Sequence, residues 1–153
     1  MSKSQYPLVL IGDYTNHYGR YLRKKYRGKK IVFLGAVYDK KILDNLRYYS
    51  TVYFHGHSGG GTNPSLLEAM GAKALICAHD NPFNREVLGE NAFYFKSKYN
   101  ISELLAANPD KESYQNRIGN NRRIIEDRYS WEAVIDGYYE LFNSSAHRKK
   151  SLK

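Results

Sequence analysis

One uninterrupted stretch, Gly59-Gly60-Gly61-Thr62-Asn63-Pro64-Ser65-Leu66-Leu67-Glu68-Ala69-Met70, brings together the residue types that recognition of an anion requires. Asn63 can cap free backbone N–H groups, and Pro64 has no N–H to leave unpaired, so a helix is expected to begin at Pro64. The glycines ahead of it let backbone approach a ligand closely. A glycine-rich turn that opens a helix gathers N–H donors at the positive end of the helix dipole, and phosphate is the guest that suits it. The same glycines also fit a plain surface loop before a core helix. Glu68 favours a site, because a carboxylate just over one turn into the helix can accept hydrogen bonds from sugar hydroxyls while the loop holds phosphate.

Other groups able to do chemistry lie close by in sequence. His55 and His57 alternate, which puts both side chains on one face of a strand, and His79 with Asp80 follows on a later loop. This set could hold zinc, but only two of its members have a defined spacing. Hydrogen bonding to phosphate or sugar fits the histidines better. Asp13 and Asp80 suit loop capping, and no Ser-His-Asp or Cys-His set can be assembled, so no catalytic residue is assigned.

These groups need elements to position them, and the chain supplies strands alternating with helices. Leu8-Val9-Leu10-Ile11, Ile31-Val32-Phe33-Leu34, residues 51–55, Ala74-Leu75-Ile76-Cys77 and Ala92-Phe93-Tyr94-Phe95 are short apolar runs, as expected of strands buried on both faces. Between them Tyr18, Tyr21, Leu22 and Tyr26 recur at helical spacing. Asp39 can cap a helix with Ile42, Leu43, Leu46 and Tyr49 on its inner face, and a helical turn is expected over 85–88. Beyond Lys96 helices take over: a short one over 101–107, a long polar one near 111–128, and a last one capped by Ser130. In that last helix Trp131, Val134, Ile135, Tyr138 and Phe142 form a stripe expected to pack on the sheet. The pattern predicts an α/β fold, a Rossmann-like doubly wound parallel sheet of about five strands with C-terminal helices. Ligands of such sheets bind where loops leave the carboxyl ends of the strands.

A chain of 153 residues is one domain of ordinary size, expected over 1–143, with a basic disordered tail over 144–153. The single Cys77 excludes an internal disulfide, and no apolar run approaches the length of a membrane span, so a cytoplasmic protein is expected. The net charge of +9 is concentrated in Arg20, Arg23, Lys24, Lys25, Arg27, Lys29 and Lys30, and again at the end of the chain. Such a patch attracts polyanions, and it also fits a solvated helix face. The tyrosines form no single stacking platform and no nucleic-acid motif is present, so nucleic acid is not an expected partner.

The segments Leu8 to Asp13, Val32 to Val37, Asn63 to Met70, Pro82 to Val87 and Tyr129 to Glu132 fall in an order and spacing that resembles the carboxyl-terminal, donor-binding domain of retaining GT-B glycosyltransferases of the family 4 type. The likeness runs from Leu8 to Phe142. His55-Gly56-His57-Ser58 followed by Gly60 to Ser65 is similar to the bacterial rhamnosyltransferase-like branch that assembles surface polysaccharides. The resemblance implies that Glu68, matching the second glutamate of the family's Glu-x7-Glu signature, binds ribose hydroxyls. It implies that Gly60, Gly61, Thr62 and Asn63 meet the donor diphosphate and sugar, and that backbone at Gly35, Ala36 and Val37 meets the base. Gly60 replaces the first glutamate, with His57, Asp80 and Asn84 as candidates to substitute for it.

The resemblance also marks a strand and helix ahead of Leu8, and an acceptor-binding domain, as missing from these residues. Five strands without that leading one would order themselves 2-1-3-4-5. The implied activity is transfer, with retention, of a hexose or deoxyhexose such as rhamnose from a nucleotide diphosphate sugar to a saccharide or lipid-linked acceptor. It needs no metal or other cofactor, and the implied location is the inner face of the membrane, with anionic lipid as a partner. A non-catalytic nucleotide- or phosphate-binding module is the alternative, followed by a basic nucleic-acid-binding domain.

Overall fold

The structure is a computed structural model that describes residues 6–150, with side chains described as far as Asn143. In chain order the elements are β1 (Leu8–Ile11), α1 (His17–Lys25), β2 (Ile31–Gly35), α2 (Lys40–Tyr49), β3 (Tyr53–His55), α3 (Pro64–Gly71), β4 (Ile76–His79), α4 (Pro82–Leu88) and β5 (Phe93–Phe95). Then come α5 (Lys98–Ala107), a 3₁₀ turn (Lys111–Tyr114), α6 (Gln115–Arg128) and α7 (Trp131–Lys150). Helix starts other than that of α6 follow side-chain caps. Asp39 accepts from the N–H groups of Lys41 and Ile42 at 2.8 and 3.1 Å, and the Ser130 hydroxyl accepts from Ala133 N–H at 3.2 Å. Helix α4 begins at Pro82, ahead of the expected turn, because Asn81-Pro82 is the same start signal as Asn63-Pro64. The long helix near 111–128 divides into the 3₁₀ turn and α6.

Every strand pair is parallel, which gives the predicted α/β, Rossmann-like fold. The strands form two ladders, β1 with β2 and β3-β4-β5. Of the expected order 2-1-3-4-5 the pairings 2-1 and 3-4-5 are present, in two separate sheets rather than the single one expected, since β1 and β3 share no ladder hydrogen bonds. In the second ladder Tyr53 aligns with Ile76, and Ala78 with Tyr94. One face of β4, Ile76 and Ala78, joins Leu66, Ala69 and Met70 of α3 and Val87 and Leu88 of α4 in the core, with Ile124, Ile125 and Tyr129 packed against it.

The first ladder departs from expectation. Val9, Ile11, Val32 and Leu34 share one sheet face and are each 40–44% exposed, so β1 and β2 are not buried on both faces. No described element covers them. The tyrosines of α1 are exposed as well, with Tyr18 at 67%, and of the expected inner face of α2 both Ile42 and Tyr49 lie open. The stripe of α7 is also uncovered rather than packed on the sheet: Trp131 is 79% exposed and Phe142 69%. The helical backbone of α7 carries the expected tail region 144–153 as far as Lys150, while its side chains and residues 151–153 lie outside the described residues. No helix among the described residues is long and apolar enough to cross a membrane.

Candidate functional site

Helix α3 starts at Pro64, and Asn63 caps it by accepting from Ser65 N–H at 3.0 Å and from the Ser65 hydroxyl at 2.7 Å. The N–H groups of this first turn open onto the loop that leaves the carboxyl end of β3. Gly61 holds φ +84°, a conformation that glycine adopts without strain. Gly60 lies under the ring of Phe83, close enough that a Cβ there would stand 3.1 Å from the ring. A side chain at position 60 would thus require Phe83 to give way by a few tenths of an ångström.

A pair of asparagines fixes the start of this loop. Asn84, 4% exposed, donates from Nδ2 to the His57 carbonyl at 3.1 Å and to the His79 carbonyl at 2.8 Å. Asn81, the cap of α4, donates to the same His57 carbonyl at 3.2 Å. The loop after β3 is thereby tied to the loop after β4 through side-chain amides. Both amide hydrogens of Asn84, a candidate for sugar contact, are donated to backbone carbonyls in this structure.

His55 ends β3 directly beneath this loop. It is 3% exposed, its ring lies between those of Tyr53 and His57 at centroid distances of 6.3 and 6.1 Å, and its Nε2 has no hydrogen-bond partner. Burial, reinforced by the nearby His57, lowers its pKa and keeps the ring neutral. The His57 ring stands against Gly59, where a Cβ would lie 3.5 Å from its Nε2.

Glu68 is engaged by a residue that the sequence did not single out. Arg47 of α2, 8% exposed, donates to the Glu68 carboxylate at 2.6 Å and to Asp44 at 3.3 Å. The signal for Arg47 was its position four residues after Leu43, on a helix face otherwise read as apolar. The Glu68 side chain remains 44% exposed, so one flank of the carboxylate is open while the other is held. Asp80 is committed too: Arg85 donates to it at 2.5 Å and Lys96 approaches to 3.6 Å. The Arg85 hydrogen bond leads in holding the Asp80 carboxyl below the usual carboxylate range. Asp13 accepts from the N–H and hydroxyl of Thr15, the loop-capping role expected of it.

Loop 56–63, Asn84 and Asp80 therefore gather at the carboxyl ends of β3 and β4. Gly35, Ala36 and Val37 leave the carboxyl end of β2, on the other ladder, and no hydrogen bond among the described residues joins them to loop 56–63. Among the described residues no group of three or more His, Cys, Asp or Glu side chains could hold a metal ion. Cys77 is buried in β4, which pushes its thiol pKa up to about 12 and removes it as a nucleophile. Two concavities of about 290 and 320 Å³ lie elsewhere, where α2 and α3 end, lined by Tyr48 and Lys73 among others. Residues 56–62 of the loop cluster are exposed.

No family model matches the chain, and comparison with curated proteins gives no match. Among solved structures the chain is similar to HepE from Anabaena, whose crystal structure is a complex with UDP-glucose. The TM-score is 0.73 at 16% identity over 92% of this chain. The likeness shows the fold, a Rossmann-like α/β arrangement shared with part of HepE. The chain spans 41% of the length of HepE.

Proposed function

We propose that the chain is a donor-binding domain of a glycosyltransferase and takes a nucleoside diphosphate sugar at the loop cluster above β3 and β4. The observation that carries this is the joining of a capped helix start to a glycine loop that Asn81 and Asn84 hold through the His57 carbonyl. The first-turn N–H groups of α3 are fixed where a departing diphosphate gains charge, and donors placed in advance stabilise that charge at no reorganisation cost. Backbone at Gly60, Gly61, Thr62 and Asn63 lines the phosphates, with His57 beside them, and the open flank of Glu68 accepts from ribose hydroxyls. Backbone at Gly35, Ala36 and Val37, at the carboxyl end of β2, meets the base. The sequence resemblance supports family 4 type chemistry with retention, a hexose or deoxyhexose such as rhamnose, and a saccharide or lipid-linked acceptor of surface polysaccharide synthesis. The exposed basic helix α1 suits the anionic face of a membrane on the cytoplasmic side. The likeness of the fold to HepE, solved with UDP-glucose, supports the donor class.

Transfer also requires an acceptor held in reacting geometry, which can contribute roughly 7–11 kcal/mol to lowering the barrier. The described residues form only the donor side. The chain alone is therefore expected to bind dTDP, UDP or GDP with Kd of about 0.1–1 mM, from about 4–5.5 kcal/mol of binding, and to transfer no sugar. Titration calorimetry with these nucleotides, with a single-stranded oligonucleotide as control, tests the reading. Preference for the oligonucleotide would replace it with a nucleic-acid-binding one.

A further inference from the structure

The carboxylate of Glu68 is held by a charge that the fold buries. The guanidinium of Arg47 divides between two carboxylates, Nη2 donating to Glu68 Oε2 at 2.6 Å and Nη1 to Asp44 Oδ1 at 3.3 Å. Lys40 pairs with Asp44 at 2.5 Å, so charges alternate from Lys40 through Asp44 and Arg47 to Glu68. Taking a guanidinium out of water is unfavourable, and an apolar side chain of similar volume serves packing at least as well. The burial is one-sided: the side chain of Arg47 is 9% exposed and that of Glu68 44%, and Glu68 Oε1 accepts no hydrogen bond from the described residues. The pair also joins the two helices that follow the ligand-facing loops, α2 after the loop that leaves β2 and α3 after the loop that leaves β3.

We propose that Arg47 is a positioning residue for recognition of the nucleotide's pentose: it fixes the Glu68 carboxylate in the one orientation from which its free oxygen meets the ribose hydroxyls. The inference rests on the reading of Glu68 as the pentose ligand. An exposed glutamate samples several rotamers and loses that freedom when a ligand binds, whereas one anchored to a buried guanidinium has lost it already on folding. An ionised carboxylate offers about four acceptor directions, and Arg47 occupies one of them, which leaves room for a pair of hydroxyls. The planar guanidinium reaches Glu68 and Asp44 through separate nitrogens of a rigid fork, a geometry that a lysine ammonium does not reproduce.

The test reads the pentose contribution as the ratio of the Kd of 2′,3′-dideoxy-UDP to that of UDP, from NMR titrations. In the unsubstituted chain the ratio is expected to be about ten. Arg47→Met should lower it to about two or three, while affinity for the dideoxy nucleotide stays within about twofold. A merely structural role would weaken both nucleotides alike and leave the ratio where it was. Arg47→Lys keeps the positive charge and serves if Arg47→Met does not fold; it too should lower the ratio, because the fork is lost. In the unsubstituted chain the guanidinium ¹⁵N signals of Arg47 should shift on saturation with UDP and not with the dideoxy nucleotide. A ratio near ten in either folded variant, or equal shifts with the two nucleotides, overturns the proposal and leaves Glu68 as the pentose ligand. A ratio near one in the unsubstituted chain removes the pentose contact itself, and the proposal falls with the reading on which it rests.

Discussion

The ladders β1-β2 and β3-β4-β5 are built from comparably apolar strands, yet they meet different surroundings. Ile76 and Ala78 are fully buried between helices, whereas Val9 and Leu34 are 40% and 44% exposed. The difference lies in what flanks them. In the second ladder α3, α4 and α6 bring Leu66, Met70, Leu88 and Ile124 onto the strands, and the chain closes its own core. In the first, α1 spends its surface on Arg20, Arg23, Lys24, Lys25 and exposed tyrosines. Apolar sequence states that a strand needs cover; it does not state which polypeptide provides it.

Paired truncations test the contrast most strongly. Leu66→Ala in the closed core should cost about 2–5 kcal/mol through lost transfer energy and a cavity, while Val32→Ala should stay within about 0.5 kcal/mol. Urea unfolding of both variants measures this. Equal losses would mean that the first ladder is as well packed in solution as the second.

The next effect concerns the site on the second ladder. Glu68→Ala should weaken dTDP or UDP binding by about 1.5–3 kcal/mol, with the fold kept because Asp44 remains to pair with Arg47. Calorimetry beside circular dichroism separates these outcomes, and unchanged affinity in a folded variant removes Glu68 from the site.

Asn84→Ala should cost about 1–3 kcal/mol, because the His79 carbonyl loses its amide donor and the His57 carbonyl keeps only that of Asn81. Amide exchange in residues 57–62 should quicken while that of β1 and β2 stays as it was. A change spread over both ladders would show that they are coupled through this clamp.

The smallest effect is a pH dependence. His55 has a pKa lowered in the folded state, so the unfolded chain binds its proton more readily. Stability is then full above the unfolded value of about 6.5 and falls as pH drops below it, towards the lowered folded value. His55→Gln should flatten urea midpoints measured from pH 5 to pH 8.

The parallel α/β fold was legible because short apolar runs alternate with capped helices, and the start of α3 at Pro64 follows from two residues alone. The same Asn-Pro signal marked α4. It was outweighed there by the polar run from His79 to Asn84, which suggests a loop. Pairings made across the chain were not legible: Arg47 with Glu68 joins residues on separate helices, and the amide of Asn84 reaches two carbonyls that only folding brings together. Nor was the exposure of the Trp131 stripe, since a helical apolar period looks the same whether or not its cover lies in the same chain.

The close approach of Gly60 to Phe83 bears on how this loop can change over generations. A Cβ at position 60 would stand 3.1 Å from the ring, inside the roughly 3.5–4.0 Å that carbon atoms favour. Phe83 is 47% exposed, and a shift of a few tenths of an ångström relieves the contact. A lineage that gained a carboxylate at position 60 would first benefit from a smaller residue at 83, and one that lost the carboxylate would be free to acquire the ring. The two positions thus share one contact, and a change at either alters the space open to the other.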